Sequence, residues 1–218
     1  MKAIILDCDG VLVDSEAIYH SAEIRFMAEL GIEVDRNAYA ERFMGLPTEV
    51  YFKTLHEAYA NQLNGPFPDD FEIRFKAWSH EQIQSNLKAI PGINEYVASV
   101  KLPKAVASST KLKFLHQKLE MTGLSEFFAP HIYSGEQMAR GKPFPDLFLH
   151  AAAQLNVDSS ECVVIEDSAN GVKAGVAAGM HVIGFCGGGH CSERHDEILL
   201  KAGAHDIAHN YDDVRKLI

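Results

Sequence analysis

The chain has 218 residues, enough for one domain or for a core with a smaller second domain. Apolar residues make up 47% of it, which suits a sizeable globular core, and no stretch is long enough to cross a membrane as a helix. Lys and Arg number 20 against 30 Asp and Glu, and the formal net charge of -10 argues against nucleic acid and anionic membrane surfaces as partners. An anionic substrate therefore needs a locally positive site, from a metal or from placed lysines.

Met1 and Lys2 run straight into the first apolar segment, so no signal peptide is expected. The four cysteines, Cys8, Cys162, Cys186 and Cys191, make no disulfide framework, and a reducing cytoplasm is the expected compartment. Residues 3–7 form an apolar, β-branched run that reads as a buried strand. It ends in Asp7-Cys8-Asp9-Gly10. Side chains at i and i+2 share a strand face, so the two carboxylates converge at the strand's carboxyl end. Two close carboxylates repel, and they call for a metal, a cation or a shared proton. The same Asp-x-Asp also suits a helix N-cap or a turn.

From 15 to about 88 the pattern is helical, with helices expected near 15–30, 36–43, 48–60 and 69–87 and breaks at Gly45-Leu46-Pro47 and Gly65-Pro66. Strand–helix alternation resumes after Pro91-Gly92. Strands are expected at 104–107, 131–133, 162–165 and 181–185, and helices at 93–100, 112–121, 146–155, 169–178 and 198–202. That alternation implies a mostly parallel sheet with right-handed crossovers, an α/β fold. Cys186, His190, Cys191 and His195 cluster within CGGGHCSERH, but their spacing fits no common zinc pattern; a glycine-rich loop leading into a helix is expected.

In a parallel sheet, Asp7-Cys8-Asp9, Ser108-Ser109-Thr110 and Glu166-Asp167 fall on one edge, with Lys142 in the loop before the third of them. Carboxylates, hydroxyls beside free N–H groups and one ammonium suit a phosphoryl group and Mg2+. On these four motifs, in this order, the chain resembles the haloacid dehalogenase superfamily, in its β-phosphoglucomutase-like, helical-capped branch. The resemblance implies a Rossmann-like core at 1–14 and 89–218 and an inserted α-helical cap at 15–88. It implies Asp7 as nucleophile and Asp9 as acid and base. Mg2+ would be bound by Asp7, the Asp9 carbonyl, Asp167 and Glu166. Lys142 would neutralise charge, Ser108 with Ser109 would hold phosphate, and Gly10 would allow the tight turn. Relatives that cleave carbon–halogen bonds lack the second Asp, so Asp9 points to phosphoryl transfer.

The cap of this family selects the substrate. Glu16 and His20 on the first cap helix, and Thr48 in the loop 45–49, are the candidate contacts. Mutases of this branch carry an Arg near the position of Thr48, which grips a second phosphate. Its absence favours a phosphatase of small sugar or sugar-acid phosphates over a phosphomutase. Phosphonoacetaldehyde hydrolysis needs a cap lysine that has no clear counterpart here. A non-catalytic binding module would have little reason to keep this charge set.

Overall fold

The computed structural model describes residues 1–35, 39, 43, 48–63 and 66–218. They divide into two compact units, Met1–Asp14 with Lys88–Ile218, and Ser15–Leu87. The first unit is built on strands β1 (Ala3–Leu6), β2 (Lys104–Ser108), β3 (Ile132–Ser134), β4 (Cys162–Glu166), β5 (His181–Phe185) and β6 (Asp206–Ala208). They form one sheet in the order β3-β2-β1-β4-β5-β6, every pair parallel. The register sets Leu6 beside Val106 on one side and Ile165 on the other, Ser108 beside Ser134, and Glu166 beside Gly184. The polar ends of β1, β2 and β4 therefore share one edge. Lys88 belongs with this unit, one residue earlier than the sequence boundary. The Asp14 N–H donates to its carbonyl at 2.9 Å, and Val13 bridges Ala89.

The second unit is helical among its described residues: α1 (Ser15–Glu29), α2 (Thr48–Tyr59) and α3 (Phe71–Asn86), with a 3-10 turn at Ala60–Gln62. Aromatic rings fill its core, as where Phe26 meets Phe71 edge to face with centroids 5.2 Å apart. The Tyr39 and Tyr51 hydroxyls lie 2.5 Å apart. Burial pushes the nearby Glu23 carboxyl up to about 7, against hydrogen bonds from both tyrosines. The segment Gly45-Leu46-Pro47 and most of the helix expected near 36–43 lie outside the described residues.

Seven further helices belong to the first unit: α4 (Ile93–Ser99), α5 (Leu112–Met121), α6 (Ser125–Phe128), α7 (Asp146–Gln154), α8 (Ala169–Ala177), α9 (His195–Ala202) and α10 (Tyr211–Leu217). Ala3, Ile5, Ala107 and Val164 pack with Leu147, Phe148 and Val172 on one face, and Ile4, Leu6, Val106 and Ile165 are buried too. Burial on both faces is why these strands read as continuous apolar runs. α8 is rich in small residues because it presses on the sheet; a Cβ at Gly175 would stand 2.7 Å from Val182 Cγ2. The strand expected at 131–133 is shifted one residue onward, and α6, β6 and α10 lie beyond what the sequence pattern marked. Among the described residues no helix is long and apolar enough to cross a membrane.

Candidate active site

β1 stands where the strand order turns, with β2 and β3 to one side and β4, β5 and β6 to the other. Open α/β sheets bind ligands in the crevice at the strands' carboxyl ends beside such a switch point. Asp7 is the first residue past β1, and its N–H donates to Ile165 O at 3.0 Å, which keeps it in line with β4. Its carboxylate is buried and accepts from Lys142 Nζ at 2.6 Å, and the same ammonium reaches Glu166 Oε1 at 3.2 Å. Lys142 thus bridges the ends of β1 and β4 from the loop before α7.

Glu166 accepts two further hydrogen bonds besides that of Lys142. Ser168 Oγ donates to Oε1 at 2.9 Å, and the Asp167 N–H donates to Oε2 at 2.9 Å. Gly171 on α8 makes room for this carboxylate, since a Cβ there would lie 1.3 Å from Oε1. Gly10 does the same for Asp167. It adopts φ +74°, and a Cβ would stand 1.9 Å from Asp167 Oδ2. The turn it belongs to is closed by the Gly10 N–H donating to Val13 O at 2.8 Å and the Leu12 N–H to Cys8 O at 2.8 Å.

Asp7, Glu166 and Asp167 each offer a ligand atom to a buried group whose atoms lie within 4.8 Å of one another. Burial pushes the Asp7 carboxyl up to about 7; Lys142 opposes this, and Glu166 and Asp9 add to it. Glu166 is raised by burial as well, against Lys142 and with help from Asp167. Burial alone would lower the Lys142 ammonium, but Asp7 and Glu166 outweigh that and hold it above its ordinary range. A hard oxygen donor set in which one lysine leaves the carboxylates strained toward protonation fits a small divalent cation such as Mg2+.

Asp9 is served by different groups. Its Oδ1 pairs with the Lys118 ammonium from α5, and Thr110 Oγ1 donates to Oδ2 at 2.5 Å. Ser108 is buried at the end of β2, and its Oγ accepts the Thr110 N–H at 3.1 Å. Ser109 is exposed beside it. Glu16 and His20 lie in the second unit, both half-buried on α1, and the His20 ring sits 5.5 Å from Tyr39. Thr48 opens α2, and its side chain lies outside the described residues.

The glycine-rich loop 187–189 does lead into α9, and three of the four Cys and His residues of that stretch come together. His190 Nε2 meets Asp167 Oδ2 at 3.0 Å and Cys191 Sγ at 3.6 Å, and His195 Nε2 donates to the Asp167 carbonyl at 2.6 Å. Burial pulls His190 down, but Asp167 and Cys191 outweigh it and hold the imidazole up at about 11. Two histidines thus grip the side chain and the backbone of one acidic residue. The spacing of these residues in the sequence, which fits no common zinc pattern, does not reveal this arrangement. Lys118 was missed too; its signal was a lysine directly beside Leu119 on the apolar stripe of α5.

Residues 4–185 match the family model described as haloacid dehalogenase-like hydrolase. The chain belongs to that family. Hexitol phosphatase B of Escherichia coli (strain K12) is 35% identical over 83% of this chain and 82% of its own. Beta-phosphoglucomutase of Bacillus subtilis (strain 168) is 30% identical over 84% of this chain and 83% of its own. A solved structure of a HAD family hydrolase from Deinococcus radiodurans with bound phosphate and sodium superposes with TM-score 0.88. It is 32% identical and covers 100% of this chain and 94% of that one. The hydrolase is thus of the phosphatase type, in the family's β-phosphoglucomutase-like branch, on an α/β Rossmann-like fold.

Proposed function

We propose that this hydrolase is a Mg2+-dependent phosphatase of small phosphorylated carbohydrates, a sugar or sugar-acid phosphate, working through a phosphoaspartate on Asp7. The observation that carries the reading is the buried Asp7 carboxylate, 2.6 Å from Lys142 and grouped with Glu166 and Asp167. Asp7 attacks phosphorus through one carboxylate oxygen, and the bond from phosphorus to the ester oxygen breaks. Asp9 gives that departing oxygen its proton. Water then attacks the phosphoaspartate, Asp9 takes the proton back, and Asp7 returns as inorganic phosphate leaves. Lys142 balances charge on Asp7 and on the transferring oxygens, while Ser108 and the N–H of Ser109 hold the phosphoryl group.

Asp7, the backbone carbonyl of Asp9 and Asp167 would hold Mg2+, with Glu166 directly or through water. When bound, the ion offsets the repulsion between the phosphate and an anionic nucleophile. On the family resemblance alone, Glu16, His20 and Thr48 select the leaving group. All four cysteines are free thiols, and on that ground we assign the enzyme to the reducing cytoplasm.

The test is phosphate release from a panel of sugar, sugar-acid and short-chain phosphates, with and without Mg2+, for wild type and Asp7→Asn. Metal-dependent turnover that Asp7→Asn abolishes is expected. Turnover that survives in Asp7→Asn, or none on any phosphate, overturns the reading. The Bacillus subtilis relative carries the competing reading, a mutase. Given a sugar bisphosphate activator, we expect free phosphate and no isomerised sugar phosphate.

A further inference from the structure

We propose that Lys118 is a positioning residue for Asp9: with Thr110, it fixes the carboxyl group that hands a proton to the leaving oxygen. The inference rests on the phosphatase reading of Asp9. α5 carries two lysines, Lys113 and Lys118, and Lys111 stands just before it. Lys111 and Lys113 are exposed, whereas Lys118 lies on the buried face with Leu115 and Leu119, its side chain only 5% exposed. An ammonium is withdrawn from water only at a cost that a partner ion must offset, and Asp9 Oδ1 is such a partner.

Thr110 Oγ1 holds the second oxygen of the same carboxylate at 2.5 Å. The two donors come from different elements, one from the turn after β2 and one from the second turn of α5. A carboxylate held through both oxygens has a fixed plane. It is still 15% exposed, so one side stays accessible to a reacting group. The two carboxylates of Asp-x-Asp are thereby divided between two lysines, Lys142 on Asp7 and Lys118 on Asp9. That division keeps a nucleophile and an acid two residues apart from competing for one cation. A lysine that served stability alone would not need to meet the carboxylate whose aim decides proton delivery.

The experiment reads kcat/KM of the full-length, Mg2+-loaded enzyme across phosphate monoesters whose leaving groups run from alkanols to 4-nitrophenol. An acidic phenol leaves without much help, and an alkoxide does not. Misplacing a catalytic group by about 1 Å costs on the order of 10²-fold. Lys118→Met, matched in length, is expected to lower kcat/KM about 10–100-fold on alkyl esters and under about 3-fold on 4-nitrophenyl phosphate. Thr110→Val shifts the series the same way by a smaller factor, and it decides the question if Lys118→Met does not fold. Equal loss on every ester, or no loss, overturns the proposal. Asp9→Asn separates the two layers. If it steepens the leaving-group dependence while the Lys118 and Thr110 variants do not, Lys118 has no positioning role and the phosphatase mechanism stands. If Asp9→Asn shows no such dependence, the assignment of Asp9 as acid fails, and the proposal falls with it.

Discussion

Gly171→Ala sets two effects of opposite sign against each other. Gly171 lies in the first turn of α8, and its N–H donates to the capping Ser168 Oγ at 3.0 Å. Replacing a helical glycine by alanine ordinarily gains about 1 kcal/mol. Here the added Cβ would stand 1.3 Å from Glu166 Oε1 and 2.0 Å from its carboxyl carbon. A carbon–oxygen contact needs roughly 3.3 Å, so the carboxylate or the helix must yield by about 2 Å. Glu166 is not free to yield, because Lys142, Ser168 and the Asp167 N–H all hold it. Losing one hydrogen bond to a charged group costs about 1.5–3 kcal/mol, and overpacking adds about 1–3 kcal/mol. After the propensity gain, a net loss of about 3 kcal/mol remains, or roughly 6–12 °C in melting temperature for a chain of this size. Thermal denaturation of the metal-free protein, followed by circular dichroism, measures it. A variant that melts at or above the wild-type temperature refutes the packing of α8 against Glu166.

Lys142→Met leaves Asp7 and Glu166 buried without their shared cation. It is expected to lose about 3–5 kcal/mol of stability in urea denaturation, and about 10²–10³ in kcat by phosphate release; near-normal turnover contradicts the role given to Lys142. The pH dependence of the metal-free protein has a definite sign. The folded Asp7 carboxyl sits at about 7 against an ordinary 3.8, so it contributes stability below that ordinary value and loses it as pH rises through 7. His190, held at about 11 against 6.5, acts the same way above pH 6.5. The urea midpoint in EDTA should therefore fall from pH 5 to pH 8 and flatten with saturating Mg2+, and a midpoint that rises over that range would sink the account. His190→Ala frees Asp167 Oδ2 from its partner and should weaken Mg2+ binding about 10–100-fold in calorimetric titration; an unchanged affinity would show that the imidazole does not orient Asp167.

The strands that carry the site were legible because each is an apolar run cut off by polar residues. Leu6 into Asp7, Ala107 into Ser108 and Ile165 into Glu166 are changes that a period-two pattern cannot hide. What pattern reading missed has a physical reason in each case. β6 is three residues long with one fully buried side chain, and α10 buries only Tyr211 and Val214, so neither carries a full apolar period. Lys118 stands ten residues past the end of β2, in a helix whose charge count looked ordinary. Its meaning lies in the face it occupies and in a partner 109 positions away. The histidines after β5 were legible as a cluster, but the partner that gives them a role is Asp167, which no local spacing names.

The splice at Asp14 and Lys88 has a consequence for how such an enzyme changes. The chain leaves the first unit after Asp14 and re-enters it at Lys88, the two points locked by the Asp14–Lys88 hydrogen bond and the Val13–Ala89 bridge. To the sheet, all of Ser15–Leu87 is one loop whose ends already touch. Doubling or halving such a loop changes its closure entropy by only about 0.6 kcal/mol. The insertion is an exchangeable cassette: a longer, shorter or unrelated segment can be carried between those two residues while every ladder that aligns Asp7, Ser108 and Glu166 stays as it is.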